Sequence, residues 1–481
     1  MKKLLCAILS AVMLAGCSAP AGQTAPPESA STDSTATAWQ LEKGGLEILA
    51  PNGMAENAIT TEKTKDHTVI RISAPGTYVL SGKLTPGQIA VDLGENAKND
   101  PNAVVTLILD NLDITCTVAP AIIFYNVYES GEPGGPAGAN VILADGSQND
   151  VNGSHTEEYD GAIYSRMSMT LDGEGRLHIT ADNEGLCSEM HLTVNGGEIS
   201  IESGNDGINT NADGVSVTTI NGGSLNIRVT GETGEGDGID SNGWLVINGG
   251  TIQAFACGTS DDAGLDADKG IRLGGGTLCA TGHMLDRISE NSQTHAVFTF
   301  ADPQKPGIYT LKNAAGEVVL DVSAENAFQN LILSAPDLTE GSYTLWAGDT
   351  QFEGMVGAGG GFFGQLQPIE DPDWPGRDDG RVEIPPQPTV PIVTHGTVVT
   401  IPDGERPADM PVPQFPEGSE GQMPVPPMPQ EGGDLPTTQL PEGVDGFGRQ
   451  PIGDTVIVGI LSTDFHLKPG ANYFTHLRPV A

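Results

Sequence analysis

The stretch between residues 195 and 280 decides the fold, because one phrase recurs through it: NGGEISI (195–201), NGGSLNI (221–227), NGGTIQA (248–254) and GGGTLCA (274–280). Successive copies begin 26, 27 and 26 residues apart. Recurrence at such a period is typical of architectures built from stacked repeats. A second phrase recurs with the first: DGINTN (206–211), DGIDSN (237–242) and AGLDAD (263–268). Both phrases therefore belong to one repeating unit.

Short apolar alternations flank each copy, such as Leu192 and Val194 before the glycines and Ile199 and Ile201 after them. Apolar residues two positions apart indicate strands, whereas an amphipathic helix would show a period of 3.6. One such unit cannot bury its own apolar face. Coils stacked about 4.8 Å apart give each apolar side chain a like neighbour above and below. The pattern predicts an all-β chain folded as a right-handed parallel β-helix, which is a solenoid.

Two columns of apolar side chains are expected inside this fold: Ile163, Leu186, Ile208, Ile239 and Leu265 in one, and Leu177, Ile199, Leu225, Ile252 and Leu278 in the other. The glycines of the Asn-Gly-Gly phrases are expected at sharp corners between strands. Glycine adopts a positive φ there without the steric cost that other residues incur.

The N-terminus carries the signals of export. Lys2 and Lys3 precede an apolar run that ends in Leu14-Ala15-Gly16-Cys17, which looks like a bacterial lipobox. A basic start and a short apolar run are typical of a signal peptide rather than a membrane span. We expect residues 1–17 to be a lipoprotein signal peptide and Cys17 to carry the lipid, with residues 18–38 as a flexible tether. The protein would be exported and held at the cell surface, with the lipid anchor as its only attachment to the bacterial cell membrane.

Composition divides the remaining chain into four parts. Residues 39–285 are expected to form the β-helix, and residues 286–355, with wider strand spacing, a small C-terminal β module that closes its open end. Residues 356–453 are rich in Pro and Gly and are expected to be a linker. Residues 454–481 return to strand composition and are expected to pack on the β module.

The net charge limits the classes of molecule that this protein can bind. The chain has 63 acidic and 22 basic residues and a net charge of −41, so nucleic acid is excluded on electrostatic grounds. Cations, or anions bridged by cations, suit this charge better. Four cysteines outside the export segment match no zinc pattern and are expected to be free thiols: Cys116, Cys187, Cys257 and Cys279. We expect a monomer.

An outward acidic row follows from the inward column. If Ile208, Ile239 and Leu265 point inward, then Asn209, Asp240 and Asp266 point outward, since side chains alternate along a strand. The residues Asn211, Asn242 and Asp268 form a second outward row, and Asp206 and Asp237 approach from the preceding turns.

Such a row has the chemistry of a calcium site. Carboxylates about 4.8 Å apart repel each other unless they are protonated or bridged by a cation. That separation is about twice the Ca–O distance of roughly 2.3–2.6 Å, and oxygen ligands without His or Cys favour Ca²⁺. The alternative is that these side chains only hydrogen-bond the coil corners and keep the surface soluble.

Two further interpretations concern a polysaccharide ligand. Lys269 and Arg272 follow the acids closely and are the residue types that a lyase acting on uronic acid polymers needs, but an ordinary ion-paired surface has the same composition. Trp244 alternates with Leu245, so its ring is expected outward beside the acidic row. There it would stack on a sugar near Asn211 and Asn242, or else pack a corner.

Three phrases together resemble the bacterial exported carbohydrate-binding parallel β-helix family: the Asp-Gly-Ile-Asp-Ser-Asn and Asn-Gly-Gly copies, GTYVLSG (76–82) leading to GQIAVD (87–92), and AIYS (162–165). The resemblance covers roughly residues 59–350. It implies a fold similar to pectate lyases and binding of acidic, polygalacturonate-like polysaccharide together with Ca²⁺. Carried over by position, the calcium-facing residues are Asp206, Asn209, Asp237, Asp240, Asp266 and Asp268. The chain departs from the pattern at Tyr164 and Cys187, so calcium is not expected before Asn205.

The sequence therefore predicts a non-catalytic surface lipoprotein that binds polysaccharide through a calcium-loaded face. Two alternatives stay open. One is a polysaccharide lyase that acts on uronic acid polymers. The other is a structural adhesin or stalk without a glycan ligand.

Overall fold

The computed structural model describes residues 37–41, 45–51, 53, 55, 57–289, 292–357 and 461–480. These residues are all-β apart from a short 3₁₀ helix at Ala97–Asn99. They contain no helix long and apolar enough to cross a membrane. The predicted signal peptide with Cys17, most of the predicted tether and nearly all of the predicted linker lie outside the described residues.

The strands fall into three groups along the chain. The first group is β1 (Thr37–Gln40), β2 (Glu47–Ala50), β3 (Ile59–Lys63), β4 (Thr68–Ile72), β5 (Gly76–Leu84) and β6 (Gly87–Asp92). The second is β7 (Val105–Thr115), β8 (Ile122–Asn126), β9 (Ala139–Leu143), β10 (Gln148–Gly153), β11 (Gly161–Ser165), β12 (Met169–Gly173), β13 (Arg176–Ala181), β14 (Glu184–Ser188), β15 (Leu192–Val194), β16 (Glu198–Ser203), β17 (Ile208–Thr210), β18 (Val217–Ile220), β19 (Ser224–Val229), β20 (Trp244–Ile247), β21 (Thr251–Phe255), β22 (Gly270–Leu273) and β23 (Thr277–Gly282). The third is β24 (His295–Gln304), β25 (Gly307–Asn313), β26 (Val318–Ala324), β27 (Phe328–Ser334), β28 (Gly341–Ala347), β29 (Thr350–Val356), β30 (Phe465–Leu467) and β31 (Ala471–Pro479).

Parallel pairing dominates the first two groups and forms three ladders. The first ladder is β5-β7-β9-β12-β15-β18-β20-β22. The second ladder is β7-β10-β13-β16-β19-β21-β23. The third ladder is β4-β6-β8-β11-β14-β17, continued by single bridges from Ile208 to Ile239 and from Ile239 to Leu265. From β9 to β23 the chain contributes residues to the first, second and third ladders in that order, and this order repeats along the sequence.

The register stacks like residues on like. In the third ladder Ile163 pairs with Leu186, Leu186 with Ile208, and the bridges add Ile239 and Leu265. In the second ladder the pairs run from Leu177 to Leu278 in the predicted order. All ten residues of the two predicted columns are at most 2% exposed. Both apolar columns are confirmed.

Each Asn-Gly-Gly corner uses its two glycines for different reasons. The second glycine has a positive φ, as at Gly223 (85°) and Gly250 (89°). The first glycine leaves room for the neighbouring coil, because a Cβ on Gly249 would lie 2.4 Å from the carbonyl oxygen of Asn221. The Asn248 side-chain amide also donates to Asn221 Oδ1 at 2.9 Å. The predicted corner role of these glycines is confirmed.

The chain after β23 forms a second core. β27 pairs antiparallel with β23, and an aromatic cluster that includes Phe298, Phe328 and Phe474 fills the space beyond it. The terminal strands β30 and β31 pair with β28, β24 and β29 of this region. Residues 461–480 therefore complete the sheets of residues 295–356.

The four described cysteines are buried and free. Gln253 pairs with Cys279, so the register does not bring Cys279 onto Cys257. The prediction of free thiols is confirmed for this part of the chain.

The corner geometry predicts the effect of a single methyl group. Gly249→Ala forces a Cβ against a backbone oxygen at 2.4 Å and is expected to lower the free energy of unfolding by about 1–3 kcal/mol. Gly307→Ala is the control, since a Cβ at Gly307 meets no atom within 4 Å. Urea denaturation of both variants measures the difference, and equal stability of the two would contradict the close approach of the coils.

Candidate functional site

The residue types on the outer side of the third ladder change along its length, from Tyr and Cys to Asn and Asp. Tyr164 pairs with Cys187 and Cys187 with Asn209, so these three side chains form one outward column. The bridges through Ile208, Ile239 and Leu265 place Asp240 and Asp266 next in the same column. Oxygen ligands in this column therefore begin at Asn209, as the sequence indicates.

Three carboxylates meet at this point. The side chains of Asp237, Asp240 and Asp266 each offer an oxygen, and these oxygens lie within 4.8 Å of one another. All three residues are half-buried. This trio has the donor set that a hard divalent cation prefers.

Burial and the charges of neighbouring carboxylates raise the pKa of each member of the trio. The pKa of Asp237 rises to about 9, because the carboxyl is desolvated and lies near the charge of Asp206. The pKa of Asp240 rises to about 8 and that of Asp266 to about 6, again chiefly through burial. At neutral pH Asp237 and Asp240 hold protons unless a cation replaces them, whereas Asp266 is largely ionised.

A second set of buried oxygens lies beside the trio. Asn209 Nδ2 donates to Glu184 Oε1 at 2.9 Å and to Asp206 Oδ2 at 3.3 Å. Glu184 is 5% exposed and Asn209 is 9% exposed, yet Glu184 Oε2 and Asn209 Oδ1 have no hydrogen-bond partner among the described residues. Burial, followed by the charge of Asp206, raises the pKa of Glu184 to about 7. Buried acceptors without a donor fit a cation, because unpaired buried oxygens are otherwise costly.

Sequence reasoning missed Glu184. The phrase Glu184-Gly185-Leu186 occupies the same place in its coil as Asp206-Gly207-Ile208, because Leu186 pairs with Ile208. The expectation that calcium is absent before Asn205 rests on the outward column, where Cys187 offers no carboxylate, and it stays a prediction. Glu184 places a carboxylate beside Asn209 from a different position, the one before the glycine. We name the set Glu184, Asp206, Asn209, Asp237, Asp240 and Asp266 the carboxylate row.

The alternative corner chemistry is also present in this row. The backbone N–H of Asp237 donates to Asp206 Oδ1 at 2.7 Å, and the N–H of Ala263 donates to Asp237 Oδ1 at 2.6 Å. Each carboxylate has a second oxygen and further lone pairs, so a corner bond does not exhaust it. Asp268 is exposed and raises the pKa of Asp240 and Asp266 from outside the trio.

The predicted sugar contacts are differently placed. Asn242 Nδ2 donates to the carbonyl of Asn211 at 3.0 Å and to Asp213 Oδ1 at 3.2 Å, and Asn211 Nδ2 donates to Cys187 Sγ at 3.6 Å. Both amides are thus engaged with neighbouring coils. Their geometry is that of corner residues, with half-buried side chains beside the carboxylate row.

Trp244 corrects one expectation. Its ring lies on the side of β20 opposite to Leu245, as predicted, but it is only 5% exposed. Val217 and Val246 pack against it, and the Arg272 guanidinium carbon lies 5.0 Å from the ring centroid. Apolar neighbours in the first ladder and a stacked guanidinium bury the indole, so the prediction of an exposed sugar-stacking ring is wrong.

The two basic residues proposed for a lyase lie in or next to the first ladder. Arg272 belongs to β22, and its guanidinium stacks on Trp244. Lys269 precedes that strand, and its backbone N–H donates to the carbonyl of Gly243 at 2.8 Å.

The carboxylate row lies in a part of the chain that is similar to known proteins. The model of a family described as "Carbohydrate-binding domain-containing protein" matches residues 65–298, which include the whole carboxylate row. A curated protein of the same description from Acetivibrio thermocellus is 29% identical over 143 residues, 28% of this chain and 45% of that protein. This chain therefore spans less than half the length of that relative. A solved structure titled as the polysaccharide lyase-like protein from C. thermocellum, gadolinium derivative, shares 24% identity and covers 46% of this chain and 87% of its own, with a TM-score of 0.34.

The raised pKa values predict how stability depends on pH. A carboxyl whose pKa is higher in the folded than in the unfolded state binds protons more tightly when folded, so stability is lost as pH rises through the folded pKa. In the presence of a chelator the melting temperature is expected to fall from about pH 4, near the pKa of an Asp in the unfolded chain, up to about pH 9, the pKa of folded Asp237. It is expected to fall most steeply below about pH 6, where Asp266, Asp240 and Asp237 all contribute. Asp240→Asn removes one of these ionisations and is expected to flatten the fall.

The control for this experiment is Asp302→Asn, which removes one acid from an exposed position in β24. It is expected to retain the full decline. Differential scanning calorimetry at constant ionic strength measures all three proteins. A melting temperature that rises with pH in the unsubstituted protein would refute the burial of these acids.

Proposed function

We propose that this protein binds an acidic polysaccharide through Ca²⁺ held by the carboxylate row, without turning the polysaccharide over. The observation that carries the proposal is the Asp237, Asp240 and Asp266 trio, whose oxygens lie within 4.8 Å of one another. The unpartnered oxygens of Glu184 and Asn209 support it from the neighbouring coil.

We infer that the chain winds as a right-handed parallel β-helix. The fixed order in which the chain visits the three parallel ladders supports the winding, and the general right-handedness of crossovers between parallel strands supports the hand. In such a coil, residues one turn apart lie about 4.8 Å apart, which explains why acids from two successive phrases meet.

Carbohydrate is the proposed ligand class because the matching family model, described by carbohydrate binding, covers residues 65–298. The acidic class follows from charge. A protein of net charge −41 repels a polyanion, so binding of a uronate polymer needs a cation between the two. When bound, Ca²⁺ would supply that bridge, since it accepts six to eight oxygens and the protein provides only part of that number.

We further propose the cellular setting that the sequence indicates. The lipobox at Cys17 would anchor the mature protein to the bacterial cell membrane through a lipid and leave the carboxylate row free at the cell surface. We propose a monomer in which Asn211 and Asn242, beside the row, contact sugar hydroxyls.

Calcium binding is tested by calorimetric titration of CaCl₂ into the chelator-treated full chain. We expect saturable binding that weakens at least tenfold in Asp240→Asn/Asp266→Asn, because two ligand charges are removed. The matched control is Asp302→Asn/Asp337→Asn, which likewise removes two negative charges, at two exposed positions. Equal calcium affinity in the two double variants would place the ions elsewhere and refute the site.

Polysaccharide binding is tested with polygalacturonate in calcium buffer and in chelator. We expect binding by the unsubstituted protein in calcium only, and its loss in Asp240→Asn/Asp266→Asn. Release of unsaturated product, abolished by Lys269→Ala or Arg272→Ala, would instead establish the lyase alternative. Absence of binding to any polysaccharide, with and without calcium, would leave a structural adhesin or stalk.

A further inference from the structure

A groove lies on the outer face of the second ladder, away from the carboxylate row. It has a volume of about 370 Å³ and crosses strands β10, β13, β16 and β19. Residues that line it include Gln148, Arg176, His178, Glu198, Ser200 and Asn226. Its volume falls within the range of roughly 300–1,000 Å³ that is typical of small-molecule sites.

The groove has no acidic excess comparable to that of the carboxylate row. Arg176 Nε pairs with Glu198 Oε2 at 2.9 Å, and their side chains are 62% and 60% exposed, so both remain accessible. His178 Nδ1 lies 2.7 Å from Ser200 Oγ, and its Nε2 lies 3.3 Å from Thr180 Oγ1. Contacts at both nitrogens hold the imidazole in one orientation. The groove therefore offers fixed donors and acceptors, with the Asp150 and Glu198 charges partly offset by Arg176.

One acceptor in the groove lacks a partner. Asn226 Oδ1 is buried and accepts no hydrogen bond from the described residues. Its Nδ2 is held by Glu325 Oε1 at 3.5 Å, and Arg228 Nε lies 3.8 Å from Glu325 Oε2. Glu325, which follows β26, thus fixes the orientation of Asn226 at one end of the groove. A buried acceptor without a donor is costly, so a small rotation of the Asn226 amide toward the groove would let a ligand hydroxyl or a water donate to it.

We propose that this groove is a second carbohydrate site that binds a neutral glycan chain without calcium. Sugar hydroxyls supply the donor that Asn226 lacks and pair with the amide, hydroxyl and guanidinium groups around it. The lining runs across four adjacent strands spaced about 4.8 Å apart, so a chain of sugar rings laid across the strands meets a polar side chain at each step. The choice of carbohydrate as ligand rests on the proposed function. The groove adds a neutral ligand class and a separate surface.

A steric variant tests the location. Ser224 is exposed and lines the groove, and Thr251 is its neighbour in the same column but lies outside the lining. Xylohexaose, mannohexaose and cellohexaose are titrated into the full chain in the presence of chelator. We expect at least one to bind, with affinity at least tenfold weaker in Ser224→Trp and unchanged in Thr251→Trp. No binding of any hexasaccharide, or equal loss in both variants, overturns the proposal.

A second pair tests the hydrogen bond. Asn226→Ala removes the unpartnered acceptor, whereas Gln253→Ala removes the next amide in the same column, outside the groove. We expect at least fivefold weaker hexasaccharide binding in Asn226→Ala and no change in Gln253→Ala. Equal affinities in these two variants would refute the assigned role of Asn226.

The two proposed sites can be tested independently of each other. Hexasaccharide binding is expected to persist in Asp240→Asn/Asp266→Asn, and calcium-dependent polygalacturonate binding is expected to persist in Ser224→Trp. Loss of both activities in either variant would overturn the separation of the sites. Absence of polygalacturonate binding in the unsubstituted protein, with hexasaccharide binding present, would refute only the proposed function.

Discussion

Parallel stacking in register is the constraint on which the rest of this structure depends. Because each strand pairs in parallel with the equivalent strand of the next sequence repeat, a residue type repeated in sequence becomes a column in space. Ile208, Ile239 and Leu265 gain from this arrangement, since each buries its side chain against another apolar one. Asn221 and Asn248 gain as well, because each amide donates to the Asn side chain of the preceding corner.

The same constraint is unfavourable for acids. Asp240 and Asp266 occupy successive levels of one column, and Asp237 reaches the same point from its turn, so stacking concentrates negative charge where the surface is half-buried. The raised pKa values of these groups express that cost. Backbone N–H groups relieve part of it at Asp206 and Asp237. A chain that needed only soluble corners would meet that need with Asn, as it does at positions 195, 221 and 248, without accumulating charge.

The sequence predicts the features that follow from the repeat period, but few of the features that depend on how side chains pack around one another. The inward columns, the glycine corners and the outward position of Asp240 and Asp266 all follow from counting along the repeats. Glu184 could not be found by following the outward column, because the residue aligned with Asp240 in its repeat is Cys187. The acid–glycine–apolar phrase that precedes Cys187 is the signal that would have found it. The exposure of Trp244 was mispredicted because alternation sets the side of a strand on which a ring lies. It does not determine whether Val217, Val246 and Arg272 will cover that side.

The groove of the second ladder belongs to the same class of features that a period cannot predict. Its side chains are ordinary polar residues of outward strand positions, and only their depth around Asn226 and the presence of Glu325 at one end distinguish them. The second and third ladders differ in whether their acidic side chains have basic partners. Acids without a basic partner among the described residues meet at Asp237, Asp240 and Asp266, whereas Arg176 and Arg228 pair with Glu198, Glu202 and Glu325 at the second ladder. Each ladder has its own outer face. One face can therefore bind its ligand through a cation while another binds a ligand without one. The two proposed modes of glycan recognition then need no shared residue, and changes in one ladder leave the chemistry of the other intact.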